Sequence, residues 1–423
     1  MRWLLLFAAA VALARGADDP EQILAYVAQN VAAQIAKAQN YTCVETIDRT
    51  YFVNKWPMRP GCSSPMSARN RKRFMHDRLR LDIAVSQTGE MYSWHAEKKF
   101  SSGRLSEVVS SGPISSGNFV GYLYNIFLDK GTHFSFVGTT KQNGIEVYNF
   151  EYAVPLTSSR YHVQAGKKDP LVPFHGSFSA SATDYHVTSL EVIGDGTAQV
   201  SDLCLVDTNL DYQMINIAGQ ASLIPSNFEL RIDTASHLST ISRSEYNQCR
   251  EFRGESTLLF HATDSAAAAS AGDPAEPEPS LPAGILLKIG LRTHIDDRKS
   301  FTGDPVDGIL LDAVPIPGTN TVIPKGAVLR GVIVQLEHRY EPWGHYLLNI
   351  HFERLSYGSH SFHLLAFPET PKKSYQELLD LYGGRLPPDV AAIAKRGVLA
   401  IGSGHVHLDE RFSGVWKTAK VRR

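Results

Sequence analysis

The chain has 423 residues, room for two or three domains, and 43% of them are hydrophobic against 20% charged. That balance excludes a globally disordered chain. Basic and acidic residues nearly cancel, leaving a formal charge of -1, so the bulk composition carries no mark of a nucleic-acid binder.

The first residues, "MRWLLLFAAAVALARGADDP", place Arg2 before an apolar stretch from Trp3 to Ala14, with small residues at Ala12, Ala14, Gly16 and Ala17. This is the layout of a secretory signal peptide over residues 1–17, too short for a comfortable membrane span. The mature chain is expected to be periplasmic or otherwise exported. No cysteine lies near the cleavage region, which argues against a lipoprotein, and no later apolar run is long enough to cross a bilayer as a helix.

Next, "DPEQILAYVAQNVAAQIAKAQN" predicts an amphipathic helix. Asp19 suits the N-cap and Pro20 the first helical position, while Ile23, Val27, Val31 and Ile35 recur every four residues. In an exported chain the four cysteines, Cys43, Cys62, Cys204 and Cys249, are expected to form disulfides. Three connectivities exist. The local one, Cys43–Cys62 with Cys204–Cys249, is favoured because each pair flanks a segment that could form a hairpin or loop. Buried free thiols are the alternative.

Beyond the helix the chain reads mainly as strand. "RLRLDIAV" alternates strictly, with Leu79, Leu81, Ile83 and Val85 on one side and Arg78, Arg80 and Asp82 on the other. That predicts a sheet with one covered and one wet face. Further strands are expected in "EMYSWHAEKKF", "THFSFVGTT", "GIEVYNFEYAVP", "SASATDYHVTSLEVIG", "CLVDTNLDYQMINI" and "NFELRID". The continuously apolar "FVGYLYNIFLD" predicts a short buried helix, and "PPDVAAIAKRG" another. Tyr92, Trp94, Phe134 and Phe136 are expected in the core first and in a ligand wall second. The aperiodic "TDSAAAASAGDPAEPEPS" reads as a linker over residues 263–280, separating an N-terminal domain, 18–262, from a C-terminal one, 281–423.

"VIPKGAVLRGVIV" raises the question of a phosphate loop. Gly326 and Gly331 have the P-loop spacing, but Val332 and Ile333 stand where lysine and a hydroxyl residue are required, so the phosphate reading fails. A turn fits instead, with Pro324 presetting the first central position and Gly326 freeing the re-entry into a strand. Pro282 and Gly284 repeat the layout in "LPAGILLKIGL". Together with "SFTGDPVDGILLDAV", these elements resemble the C-terminal β-barrel domain of TrbI-type components of type IV secretion channels. The resemblance covers about Leu281 to Gln335 and implies a small barrel, with Pro282, Gly284, Pro324, Gly326 and Gly331 as its turn elements. An apolar membrane-inserting hairpin and a proline-rich periplasmic span, both features of that family, are absent from this sequence. The N-terminal layout, an amphipathic helix followed by a long run of strands, is similar to the LolA/LolB lipoprotein carriers and to RseB-like sensors. It implies a half-open antiparallel barrel whose apolar concavity holds acyl chains or a lipidated partner.

Chemical motifs are few. His405, His407 and Asp409 share one side of a possible strand, as a metal corner would, but a wet strand face is the preferred reading. His360 and His363 lack a zincin glutamate. The basic run Arg69–Arg80 could meet anionic head groups or an acidic partner, or could simply be solvated; Asp77 interrupts it. No nucleophile elbow appears. The sequence therefore reads as a mainly β, α+β envelope protein of non-enzymatic type that needs no cofactor or metal. It would bind a lipid or lipidated protein along a wall formed by Leu79, Leu81, Ile83, Tyr92 and Trp94, and contact other envelope proteins through the barrel. The rival is an envelope hydrolase with a site between the domains.

Overall fold

A computed structural model describes residues 19–37, 40–55, 61–62, 68–86, 89–97, 100–101, 104–109, 111–164, 168–197, 201–252, 279–369, 372–395, 397–402 and 404–420. The expected signal peptide and nearly all of the expected linker lie outside them.

The first helix, α1 (Pro20–Lys37), forms where the periodicity places it. Asp19 accepts a hydrogen bond from the Glu21 amide at 3.1 Å, and Ile23, Val27 and Val31 are buried to 1% exposure or less. Ten strands follow: β1 (Tyr41–Asn54), β2 (Arg71–Ser86), β3 (Gly89–Trp94), β4 (His133–Gln142), β5 (Ile145–Val154), β6 (Phe174–Ser181), β7 (Val187–Gly194), β8 (Leu203–Ile217), β9 (Gln220–Thr234) and β10 (Leu238–Glu251). Two short helices, α2 (Leu105–Val108) and α3 (Gly121–Phe127), interrupt them. Every neighbouring pair is antiparallel. The order runs from β4 through β10 to β1, β2 and β3, so β1 lies between its successor β2 and the distant β10. Among the described residues β3 pairs with β2 and β4 with β5, and no ladder joins β3 to β4, so this sheet stays open. One core joins α1 and α3 to the sheet through Ile126, Phe127, Phe150, Phe178 and Leu210. The run expected as one strand at 179–194 is a hairpin of β6 and β7, turning through Ala182–His186.

That strand order overturns the expected local disulfides. The bridges are Cys43–Cys249, with Cα atoms 4.1 Å apart, and Cys62–Cys204, at 5.1 Å. Cys43 sits where the β1–β10 register jumps from Thr42↔Arg250 to Val44↔Asn247, so Cys249 is its cross-strand neighbour. Gly61 donates its amide to the Ala235 carbonyl, which carries Cys62 to the β8–β9 end of the sheet. Sequence proximity was a poor guide because the sheet brings its first strand back beside its last.

The C-terminal part has its own core, from Leu281 to Trp416. Its strands are β11 (Leu286–Leu291), β12 (Ile295–Asp296), β13 (Pro305–Leu310), β14 (Val314–Pro315), β15 (Val322–Ile323), β16 (Val328–Arg339), β17 (His345–Tyr357), β18 (His360–Pro368), β19 (Leu399–Gly402), β20 (His407–Leu408) and β21 (Ser413–Ala419). Ladders link β11 to β13, β16, β17, β18, β21 and back to β11, giving a small six-stranded barrel. Two helices, α4 (Lys372–Leu381) and α5 (Pro388–Lys395), pack Leu378 and Val390 against Leu347.

The two Pro-x-Gly elements are equivalent turns, but prolines do not take the first central position. Ala327 donates to the Pro324 carbonyl, so Pro324 opens the turn and Lys325 and Gly326 are central. Gly326 and Gly284 have φ of +92° and +93°, which favours glycine. Gly331 is not a turn residue. It lies within β16, where a Cβ would meet the His351 carbonyl oxygen of β17 at 1.9 Å, so close approach of two strands requires the missing side chain.

The wet face expected for β2 is largely covered. The Arg78 and Arg80 guanidinium carbons each lie 3.9 Å from the centroid of the buried Phe301 ring. Arg80 donates to Asp304 at 2.7 Å. Thr302 exchanges backbone hydrogen bonds with Arg78 and Arg80, and Glu337–Arg339 of β16 pairs with Met75–Asp77 of β2. The barrel is thus hydrogen-bonded to the N-terminal sheet through backbone.

Candidate functional site

A cavity of about 780 Å³ opens in the N-terminal part of the chain between the start of β3, α2, α3 and the 160–174 segment. Its back is built around Glu90. That carboxylate accepts the Gly117 and Phe119 amides at 2.8 Å each and the Tyr92 hydroxyl. One acidic side chain on β3 thereby holds the loop that enters α3. Gly117 at that bend has a φ of +86°. The sheet grips the same loop from behind: Asn118 donates to the Tyr246 hydroxyl at 2.8 Å, and Tyr212 donates to the Asn118 carbonyl at 2.9 Å.

On the far wall, Asn125 of α3 donates to the Ser158 carbonyl and accepts the Arg160 amide, both at 2.9 Å. Tyr161 is thereby set against Tyr122 and Phe174, with ring centroids 5.8 and 5.5 Å away. Leu105, Ile114 and Val120 add apolar side chains, and Ser106, Ser115, Ser116 and Gln164 polar ones, to a mixed lining. Burial raises the phenols of Tyr92, Tyr122 and Tyr161 above the ordinary tyrosine range. They are therefore neutral hydroxyls near pH 7, able to donate or accept hydrogen bonds but not to act as phenolates.

Charge collects at the rim. Arg104 pairs with Asp169, and His162 Nδ1 lies 3.6 Å from the same carboxylate. Arg160 pairs with Asp129 at 2.7 Å and lies over the Tyr124 ring. The two arginine side chains are 70% and 65% exposed, so each has its acid on one side and open solvent on the other.

The five residues expected to form a ligand wall do not share one surface of this cavity. Tyr92 borders it. Leu79, Leu81 and Ile83 are at most 2% exposed within the core, and Trp94 packs against that core. Gly303 of the barrel runs so close to Trp94 that a Cβ there would lie 2.7 Å from the ring. Glu90, Arg104 and Arg160 were not foreseen. The pairing of Glu90 with loop amides has no sequence pattern, and the arginines come from segments far apart in the chain.

The remaining candidates occupy other surfaces. Part of the basic run is engaged within the molecule, Arg78 donating to the Arg298 carbonyl at 2.8 Å and Arg80 to Asp304, while the exposed Arg73 donates to the Tyr340 hydroxyl at 3.1 Å. The residues weighed as a metal corner make three separate contacts. His405 approaches Asp297 at 3.4 Å, His407 meets His294 at 3.1 Å, and Asp409 holds Arg411. His360 lies against Tyr357.

Comparison with protein-family models finds no match, and neither does comparison with curated proteins. Among solved structures, an outer membrane lipoprotein-sorting protein domain from Vibrio parahaemolyticus is 13% identical. That likeness covers 56% of this chain and 96% of the other, with a TM-score of 0.28. A DUF1329 family protein from Desulfovibrio piger ATCC 29098 is 9% identical, over 56% of this chain and 95% of the other, also with a TM-score of 0.28.

Proposed function

We propose that the protein is an exported cell-envelope binder whose cavity holds a lipid, or the acyl part of a lipidated partner. The observation that carries this reading is the cavity itself. At about 780 Å³ it falls within the range of small-molecule sites. Leu105, Ile114, Val120, Tyr122 and Phe174 line it, while Arg104, Arg160 and His162 stand at the rim. An apolar chain would lie inside and a polar head would remain at the edge. Two disulfides suit an oxidising compartment, as does cleavage of the first seventeen or so residues as a signal peptide. Among the described residues, no helix is long and apolar enough to cross a membrane. The barrel, read as the TrbI-type module that its turns resemble, serves as an assembly or docking unit.

A serine-type hydrolase working in this cavity would need a hydroxyl on the imidazole of His162. That ring leans on Asp169, whereas Ser115 bonds Asn118 and Tyr122; the two groups belong to separate networks. The lipid reading is tested by native mass spectrometry of the exported, purified chain. An acyl-bearing adduct that denaturation releases, and that Ile114→Trp reduces, is the expected result. A chain without any adduct after gentle purification, and unable to take up added fatty acid, would contradict it.

A further inference from the structure

The turn between β16 and β17 carries Trp343, which at 70% exposure is the most exposed large apolar side chain among the described residues. The turn is firmly based. Tyr340 donates its amide to the Phe74 carbonyl at 3.0 Å, and Arg73 donates to the Tyr340 hydroxyl while lying over its ring. Lys72 pairs with Glu341 at 2.5 Å, and the Trp343 carbonyl oxygen sits 2.6 Å from His345 Nδ1. An indole in water is thus held out by a fixed scaffold.

Its surroundings are basic. Lys55 donates its ammonium to the Arg69 carbonyl, and Lys55, Arg69, Lys72 and Arg73 are all exposed. They belong to one end of the β1–β2 ladder, where Val53 faces Lys72 and Phe52 faces Arg73. The acids nearby are committed: Glu341 to Lys72, Asp233 to Arg231 and Glu229 to Arg243. Among the described residues, Lys72 and Glu341 offset each other, and the exposed Lys55, Arg69 and Arg73 leave this end positive.

We propose that this end of the molecule docks on an anionic lipid bilayer, with Trp343 entering the head-group layer and Lys55, Arg69, Lys72 and Arg73 meeting lipid phosphates. A single indole on a narrow turn offers far less than the ~800 Å² per partner of a stable protein interface. An amphipathic ring ringed by cations is what the membrane–water boundary favours. The site is separate from the cavity. Lys72 lies thirteen residues along β2 from Val85, the partner of Glu90, or roughly 43 Å at ~3.3 Å per residue. The proposal therefore stands whatever the cavity holds.

The test is cosedimentation of the full mature chain with vesicles of phosphatidylcholine alone and of phosphatidylcholine mixed with phosphatidylglycerol, across a salt series. Binding to the anionic vesicles that weakens with salt is expected. Lys55→Gln and Arg69→Gln should each reduce affinity by about fivefold, the worth of one cation near an anionic surface. Trp343→Ser should reduce it at least as much. All three sites are exposed, so unchanged thermal unfolding of the variants separates lost docking from lost folding. Failure to bind anionic vesicles at low salt, equal binding to both vesicle types, or wild-type binding by Trp343→Ser would each overturn the proposal.

Discussion

Arg49 and Asp77 face each other across β1 and β2 with side chains 3% and 6% exposed, joined by Arg49 Nε donating to Asp77 at 2.8 Å. Arg49 also donates to the Ser111 carbonyl. Asp77→Ala would leave a guanidinium buried without its counter-charge and is expected to cost about 3–5 kcal/mol in urea unfolding. Replacing both, as Arg49→Met with Asp77→Leu, should cost much less. Two turns of the pleat away, Glu45 is held in the same inner face. Burial pushes its carboxyl up to about 7, and the hydroxyls of Ser244 and Tyr246 offset part of that rise. The folded chain then binds a proton that the unfolded chain has released, so stability falls as pH rises from about 4.5 towards 7. Glu45→Gln should flatten that window, an effect of order 3 kcal/mol, seen as a denaturation midpoint that no longer drifts with pH. These residues explain what the sequence hid. Leu79 to Val85 announced its buried side by strict alternation, whereas the inner phase of β1 reads Tyr41, Cys43, Glu45, Ile47, Arg49, and two charges erase the period-two signal.

Among the elements, the first helix was legible because cap, periodicity and length agreed, and the short apolar one because its apolar run is nearly unbroken. The hairpin of β6 and β7 was not, since its turn, Ala182 to His186, lacks glycine and proline. Glycines of two kinds looked alike in sequence. Gly326 meets nothing within 4 Å and is needed for its φ of +92°, so Gly326→Ala should cost about 1 kcal/mol. Gly331 has a carbonyl where a Cβ would stand. Gly331→Ala must push β16 from β17 and should cost about 3 kcal/mol or prevent folding. The two melting temperatures, measured side by side, check the distinction.

For the whole molecule, the described residues on either side of the 263–280 composition change bury separate apolar clusters. How the two sides join did not show in the sequence. Arg78 and Arg80 were assigned to a wet face because a guanidinium is as polar against an interface as in water. Their stacking on Phe301 depends on a partner more than two hundred residues away. Phe301→Ala should therefore loosen the junction, by about 3 kcal/mol from lost packing and cation–π attraction. Calorimetry should then resolve two transitions where the parent chain shows one.

The central claim is that the cavity behind Arg104 and Arg160 takes an apolar chain. Titration of the mature protein with a fluorescent fatty acid tests it most directly. Saturable one-to-one binding is predicted, abolished by Ile114→Trp, which fills the cavity, and retained by Trp343→Ser at the far end of β2. Binding that is absent, that never saturates, or that survives Ile114→Trp unchanged would contradict it.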